Sequence, residues 1–480
     1  MGNKYLDGNF APVTEELTAT DLPVTGEIPA FLDGRYVRNG PNPLAELDPQ
    51  TYHWFMGDGM VHGVRLADGT ARWYRNRRVR PSPPGSPATT GGIELLGANT
   101  NVIAHGGKML ALIEGGMANY ELDENLDTVG PCDFDGTLPG GYTAHPKRDP
   151  ATGELHAVTH FFGRGDIVQY SVLDTAGRAR RIVDIPVPGV PMMHDFSLTE
   201  KYVVLYDLPV TFDAHSAAAI TVPRPLRYPT ALLLSALVGR VRVPDPITAM
   251  VGKRMRPNDR LPARWNPAHP ARVGLLPREG TAEQIRWFEV EPCYVFHPLN
   301  AYDDGDTVVL DVVRHPKMFH TDTNGPDEGP ATLDRWTVDP TSGKVRETRL
   351  DDRSQEFPRI DDRLVGREHR YGYTMESLGG GSPAGALIKH DLRRDTSLVK
   401  SLGTDRQASE FVFVPRGPDA AEDDGVLLGY SYDRQTDRSD LLILDAQTLD
   451  TVAAVHLPSR VPNGFHGNWM PDETTRGGVR

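Results

Sequence analysis

Short apolar runs separated by turn residues set the rhythm of this chain. The runs Leu155-His156-Ala157-Val158, Tyr202-Val203-Val204-Leu205-Tyr206 and Thr307-Val308-Val309-Leu310-Asp311-Val312 are bounded by Gly, Pro, Asp or Thr. Runs of that length and flanking read as β-strands. Asn101–His105 and residues 108–113 are joined by Gly106-Gly107, a two-residue link that predicts a tight hairpin. The same pairing recurs in residues 425–432 and 440–445. Residues 31–43 predict a strand ending in turn chemistry, and residues 1–30 an extended arm punctuated by proline. One stretch breaks the pattern, a cap insertion over about 223–262. Within it, residues 228–238, opening with Tyr228 and ending with Val238, are apolar nearly all round and about three helical turns long. Arg224, Arg227, Arg240 and Arg242 sit close by. The helix is either a buried roof or a peripheral membrane contact with its arginines near headgroups.

The strands also repeat at a larger period. Segments that open on a polar residue, pass a turn and enter an apolar strand begin near Asn101, His145, His194, His297, Glu356, Glu410 and His466. Their spacing is about 50 residues, the size of a propeller blade. The exception is the double-length interval from His194 to His297, which holds the insertion. Seven starts predict an all-β fold, a seven-bladed β-propeller forming a single domain over residues 1–480.

Composition narrows the partners. The 48 glycines and 41 prolines suit many turns and few long helices. A net charge of −14 disfavours nucleic acid, which wants a basic stripe, and recruitment to anionic lipid, so any membrane contact would be hydrophobic. The two cysteines, Cys132 and Cys293, form no CxxC and suggest a reducing compartment. Residues 1–6 lack the apolar core of a signal peptide, Leu6 breaks the myristoylation pattern, and no run of about 18 apolar residues occurs. The expected location is the cytoplasm, with peripheral membrane association through Tyr228 to Val238 left open.

Of sixteen histidines, His145, His194, His297 and His466 stand out because each occupies the same place in a repeat unit. The other twelve, His160 and His315 among them, take a structural role by default. Equivalent places on different blades converge on the propeller axis. Four imidazoles meeting there make a metal site; the alternative is four polar residues satisfied separately. Glu356 and Glu410 open two further repeats, and Glu114 is a third candidate. Near such an axis a glutamate either ligates the metal or accepts the second ring N–H of a ligating histidine, fixing its tautomer. Otherwise these are exposed strand-end carboxylates. A neutral four-imidazole set suits a borderline divalent metal, and is neither structural thiolate zinc nor the two-histidine-one-carboxylate iron triad. The chain has no serine nucleophile elbow, no HExxH and no phosphate loop; the glycines of residues 53–62 read as a hairpin. A metal performing oxygen chemistry is the economical enzyme reading.

These motifs resemble the carotenoid cleavage oxygenases, a family with apocarotenoid- and stilbene-cleaving members. The resemblance runs from about Arg35 to Pro471. It is carried by Arg38-Asn39-Gly40-Pro41-Asn42-Pro43, His53-Trp54-Phe55-Met56-Gly57-Asp58-Gly59-Met60, Ala144-His145-Pro146-Lys147, Met193-His194-Asp195-Phe196, Phe296-His297-Pro298-Leu299-Asn300-Ala301-Tyr302 and Phe465-His466-Gly467. It implies a seven-bladed propeller with a loop and helix dome over the metal face. It implies one Fe(II) per chain on His145, His194, His297 and His466, with Glu114, Glu356 and Glu410 behind His194, His297 and His466 respectively and no carboxylate behind His145. It implies use of O₂ to cut a conjugated C=C bond into two carbonyl products.

Stilbene-cleaving members carry a lysine just before the first of those glutamates; here the position is Ile113. An apolar residue suits a polyene, so a carotenoid or apocarotenoid is the expected substrate. A stilbene or phenylpropene is the alternative, and a non-catalytic propeller holding a hydrophobic ligand is a third reading. Expected tunnel residues are Tyr142, Phe161, Phe162, Phe296, Tyr302, Phe465, Ile113 and Thr100, with Asn99 beside Thr100 over the open metal position.

Overall fold

The inner strands of this protein are apolar at consecutive positions because they are covered on both faces. Gly425–Asp433 is buried throughout except at its last residue, whereas the outer strand Lys344–Asp351 is exposed or half-buried along its length. The computed structural model describes residues 2–44, 48–83, 92–94, 96–239, 261–326, 328–377 and 383–472. Seven antiparallel sheets stand around one axis as the blades of a β-propeller. The strands nearest the axis are Gly467–Pro471, Asn101–His105, Lys147–Arg148, Phe196–Leu198, Tyr294–Asp304, Gln355–Arg359 and Val412–Pro415, for blades 1 to 7. The sequence periodicity thus marks the blade starts.

Blade 1 closes the ring. Its innermost strand comes from the far end of the sequence: Gly467–Pro471 pairs antiparallel with Gly34–Arg38, Tyr36 opposite Trp469. The N-terminal arm crosses the adjoining seam. Thr18–Ala19 adds to blade 1 and Val24–Gly26 to blade 7.

The hydrophobic core lies between blades. The seam of blades 4 and 5 packs Val204, Tyr206 and Val273 against Leu310, Val312 and Trp336. That of blades 7 and 1 packs Leu428 and Ile443 against Tyr36, Val64 and Tyr74. The seam of blades 5 and 6 is the smallest, with Leu299, Leu333 and Ile360. A polar network supplements it: Asn300 lies against His369, and Arg335 grips Asp311 with two hydrogen bonds.

The long excursion in blade 4 begins earlier than the expected 223–262. A small ribbon of Val210–Phe212 and Ala263–Trp265 frames it. It holds helix α1 (Ala214–Thr221), which the sequence pattern does not predict, and helix α2 (Arg227–Leu237), which it does. Among the buried residues α2 contributes only Ala231, so it is not a buried roof. Leu226, Tyr228, Leu232, Leu233 and Leu237 are exposed. Arg240 and Arg242 lie outside the described residues. Among the described residues no helix is long and apolar enough to cross a membrane.

Candidate metal centre

Proline and backbone irregularity turn the key side chains toward the axis. In Tyr294–Asp304 the ladder with Thr307–His315 slips on both sides of Pro298, which has no N–H to give. His297 falls in that gap. Blade 6 repeats the device: pairing slips between Glu356 and Arg359, across Phe357 and Pro358. Phe357 sits at φ 54°, a left-handed conformation that a bulky side chain adopts only when its surroundings impose it. Its ring stacks on His297 at 5.7 Å and meets His466 edge-on at 5.6 Å.

The four repeat-positioned histidines meet on the axis. Ligand atoms of His145, His194 and His297 lie within 4.8 Å of one another. The His466 ring is 4.7 Å from both His145 and His297. Three rings are braced from behind: His194 Nδ1 by Glu114 Oε1 at 2.6 Å, His297 Nδ1 by Glu356 Oε2 at 2.7 Å, and His466 Nδ1 by Glu410 Oε1 at 3.0 Å. His145 has no such bond. Asp195 lies 3.9 Å from its Nδ1 and is held by Lys147 at 2.9 Å.

This wiring leaves lone pairs facing inward. A carboxylate only accepts, so each braced Nδ1 carries its proton and each Nε2 is bare in the neutral ring. His194 Nε2 and His297 Nε2 nevertheless sit 3.4 Å apart. His145 Nε2 is buried without a partner. Bare nitrogens held that close repel unless a cation lies among them. Burial drives His145 far below the usual imidazole range, with the neighbouring histidines adding to it. Burial also works against protonation of His297, but Glu356 outweighs it and raises the net value. Burial raises Glu356 and Glu410 too, yet their histidine partners and, for Glu410, Arg359 hold both well below the carboxylate range. A divalent cation can replace the proton shared by such a set.

The donor set, all imidazole with carboxylates behind, fits iron among the borderline metals. His145, His194, His297 and His466 would hold it.

An apolar cavity of about 230 Å³ opens on one side of the histidines. Phe161, Phe296, Phe465, Ile113, Thr100 and Asn99 line it, together with Trp54, Phe55 and Met56 from the motif at residues 53–62. Phe55 meets Phe296 and Phe465 edge to face at 5.9 and 5.5 Å, and Phe296 meets His194 at 5.2 Å. The motif's glycine is required: a Cβ at Gly59 would overlap the Ala98 carbonyl. On the opposite side of the histidines lies a polar cavity lined by Lys147, Asp195, Arg359 and Asn468.

Two expected liners face elsewhere. Tyr142 packs with Phe134 and Leu155 between blades 2 and 3, and Tyr302 lies against His369. Closeness to a histidine in sequence suggests the tunnel for both, but Tyr142 lies outside any strand, ahead of Lys147–Arg148, and for Tyr302 strand alternation sends neighbours to different faces. The Phe162 side chain lies outside the described residues. Two histidines given structural roles, His160 and His315, line the cavity instead. His315 Nε2 donates to the second oxygen of Glu356 at 2.8 Å. Each closes the second strand of its blade, and Glu114 lies just past the equivalent strand of blade 2. That shared register is the signal that would have found them.

The chain as a whole is similar to known proteins. The family model described as retinal pigment epithelial membrane protein, RPE65, matches residues 10–471. A carotenoid cleavage oxygenase of Mycobacterium tuberculosis is 57% identical over 492 residues, covering 98% of each chain. Among solved structures, cobalt-substituted apocarotenoid oxygenase of Synechocystis superposes with a TM-score of 0.77 at 28% identity, covering 96% of this chain and 97% of that one. Lignostilbene dioxygenase of Pseudomonas brassicacearum superposes at 0.80 and 27% identity, covering 97% and 98%. A likeness that runs from the N-terminal arm to the closing strand, and whose solved examples include a metal-loaded centre, cannot be one of fold alone: the chain belongs to the carotenoid cleavage oxygenase family and is an oxidative-cleavage enzyme of the non-haem iron dioxygenase type.

Proposed function

We propose that this enzyme uses Fe(II) and O₂ to cleave a conjugated C=C bond of a carotenoid or apocarotenoid into two carbonyl products. His145, His194, His297 and His466 hold the iron, and Glu114, Glu356 and Glu410 fix three of those rings by accepting their Nδ1 protons. Iron bound there supplies the activation of dioxygen. The chain's own residues do the rest. Phe55, Phe296 and Phe465 wall a flat apolar slot that excludes water and aligns a planar conjugated chain above the histidines. No side chain need donate or remove a proton. The observation that carries the polyene reading is Ile113, 2% exposed, at the place where a phenol-binding cation would stand.

The test is aerobic incubation of the iron-loaded protein with polyene aldehydes of several chain lengths. Loss of the visible band with two carbonyl products by mass spectrometry is expected; no bleaching at any length sinks the reading. The likeness to a lignostilbene dioxygenase favours one second reading, a stilbene or phenylpropene substrate. Faster turnover of a hydroxystilbene than of any polyene would establish it. Family membership replaces the binding-only propeller.

The exposed side chains Leu226, Tyr228, Leu232, Leu233 and Leu237 leave apolar surface on more than one side of the excursion that carries Phe212 and Leu261 to the cavity. A cytoplasmic enzyme with that surface touches membranes peripherally and draws its hydrophobic substrate from them.

A further inference from the structure

Beside His194 two cavity-lining residues, Glu114 and His160, each use one side-chain atom in a protein hydrogen bond and carry a second hydrogen-bonding atom. The first is Glu114 Oε2. Its sister oxygen takes the His194 proton, but Oε2 itself is buried and unbonded. The other two glutamates differ. Glu356 commits its second oxygen to His315, and Glu410 receives the Gly467 N–H at 2.9 Å. The second atom is His160 Nε2. His160 Nδ1 lies 2.8 Å from the Met193 carbonyl, and a carbonyl only accepts, so Nδ1 holds the proton. An imidazole whose proton sits on Nδ1 has an acceptor at Nε2. Both residues line the cavity.

Thr100 adds no donor to this wall. Its hydroxyl proton goes to Asn99 Oδ1 at 2.9 Å, and both Asn99 amide protons go to the Phe55 and Gly57 carbonyls. The wall beside His194 therefore presents acceptors. A ligand carbonyl or ether placed there meets lone pairs with lone pairs. A ligand hydroxyl supplies the missing proton.

We propose that Glu114 Oε2 and His160 Nε2 form a hydroxyl-recognition subsite, so that the preferred substrate carries a free hydroxyl group that binds beside His194. The alkene of that substrate rests on the cleavage reading above; the subsite is a claim about binding and stands apart from it. The hydroxyl is either an alcohol on a polyene or a phenol on a stilbene, and one experiment separates the two.

Two matched pairs serve as probes: a polyene alcohol with its methyl ether, and 4-hydroxystilbene with 4-methoxystilbene. Binding is read from quenching of tryptophan fluorescence, since Trp54 lines the cavity, and cleavage from loss of absorbance. The hydroxyl member of one pair is expected to bind about tenfold more tightly than its ether, the scale of one good hydrogen bond. The pair that discriminates names the source of the hydroxyl. His160→Phe keeps a ring and removes the acceptor; it should bring the ratio close to one with iron per chain unaltered. A ratio near one for both pairs in the wild type, or a ratio that survives His160→Phe, overturns the subsite. If that variant does not fold, the wild-type ratios still decide. Polyene cleavage without discrimination removes the subsite and keeps the cleavage reading. Discrimination in binding with no polyene cleavage does the reverse.

Discussion

His297→Ala removes one inward nitrogen from the centre and leaves its strand intact, because the neighbouring ladder already slips at Pro298. The variant should lose iron and activity while keeping the wild-type β-sheet circular dichroism; full iron occupancy would remove His297 from the ligand set. Glu356→Gln keeps the size of the side chain but weakens the brace on two histidines at once. Loss of such an outer partner costs about 10–100-fold in metal affinity, measurable by competition with a chelator. His145, which lacks a brace, offers the contrast: Asp195→Asn should change iron affinity less than Glu356→Gln does. At this scale the sequence was most legible where residues recur at one register. His145, His194, His297 and His466 each stand at a blade start, and so do Glu356 and Glu410. His160 and His315 were not legible from their own strands, because their signal lies in the register they share across blades, each closing a second strand.

Single elements show why the blades were easier to read than the cap. An inner blade strand is covered on both sides and must be apolar at successive positions, which leaves a mark in any window of sequence. The helix Ala214–Thr221 is short and rich in alanine, with no large apolar residue among its first six to mark a buried stripe. Its N-cap, Asp213, which accepts the Ser216 N–H at 2.8 Å, is the one local signal it carries. Helix α2 was legible as a helix, and its surroundings were not: its apolarity fits a buried roof and a membrane contact equally, and the structure leaves the leucines exposed. Leu232→Asp with Leu233→Asp tests that surface. Sedimentation with neutral phosphatidylcholine vesicles should fall steeply in the double variant, and cleavage of substrate offered in detergent micelles should persist. Equal vesicle binding by variant and wild type would dismiss the membrane contact.

For the molecule as a whole, buried neutral histidines tie stability to pH. Burial lowers His105, His156 and His390 from 6.5 to about 4. Unfolding restores the higher value, so between those limits the unfolded chain binds protons that the folded chain refuses. The stability these residues contribute is complete above pH 6.5 and is lost as pH falls toward 4. Melting temperature followed from neutral pH to pH 4 should drop most steeply in that window, and a flat profile would contradict the assignment. Closure of the ring has a further consequence, in time. During synthesis His145, His194 and His297 exist long before His466, which adjoins the strand that pairs with Gly34–Arg38. A nascent or truncated chain therefore holds three of the four imidazoles and no shut blade 1. With the proposed four-histidine set, tight metal retention is expected to arrive together with the final strand, so that metal content should serve as a record of completed assembly.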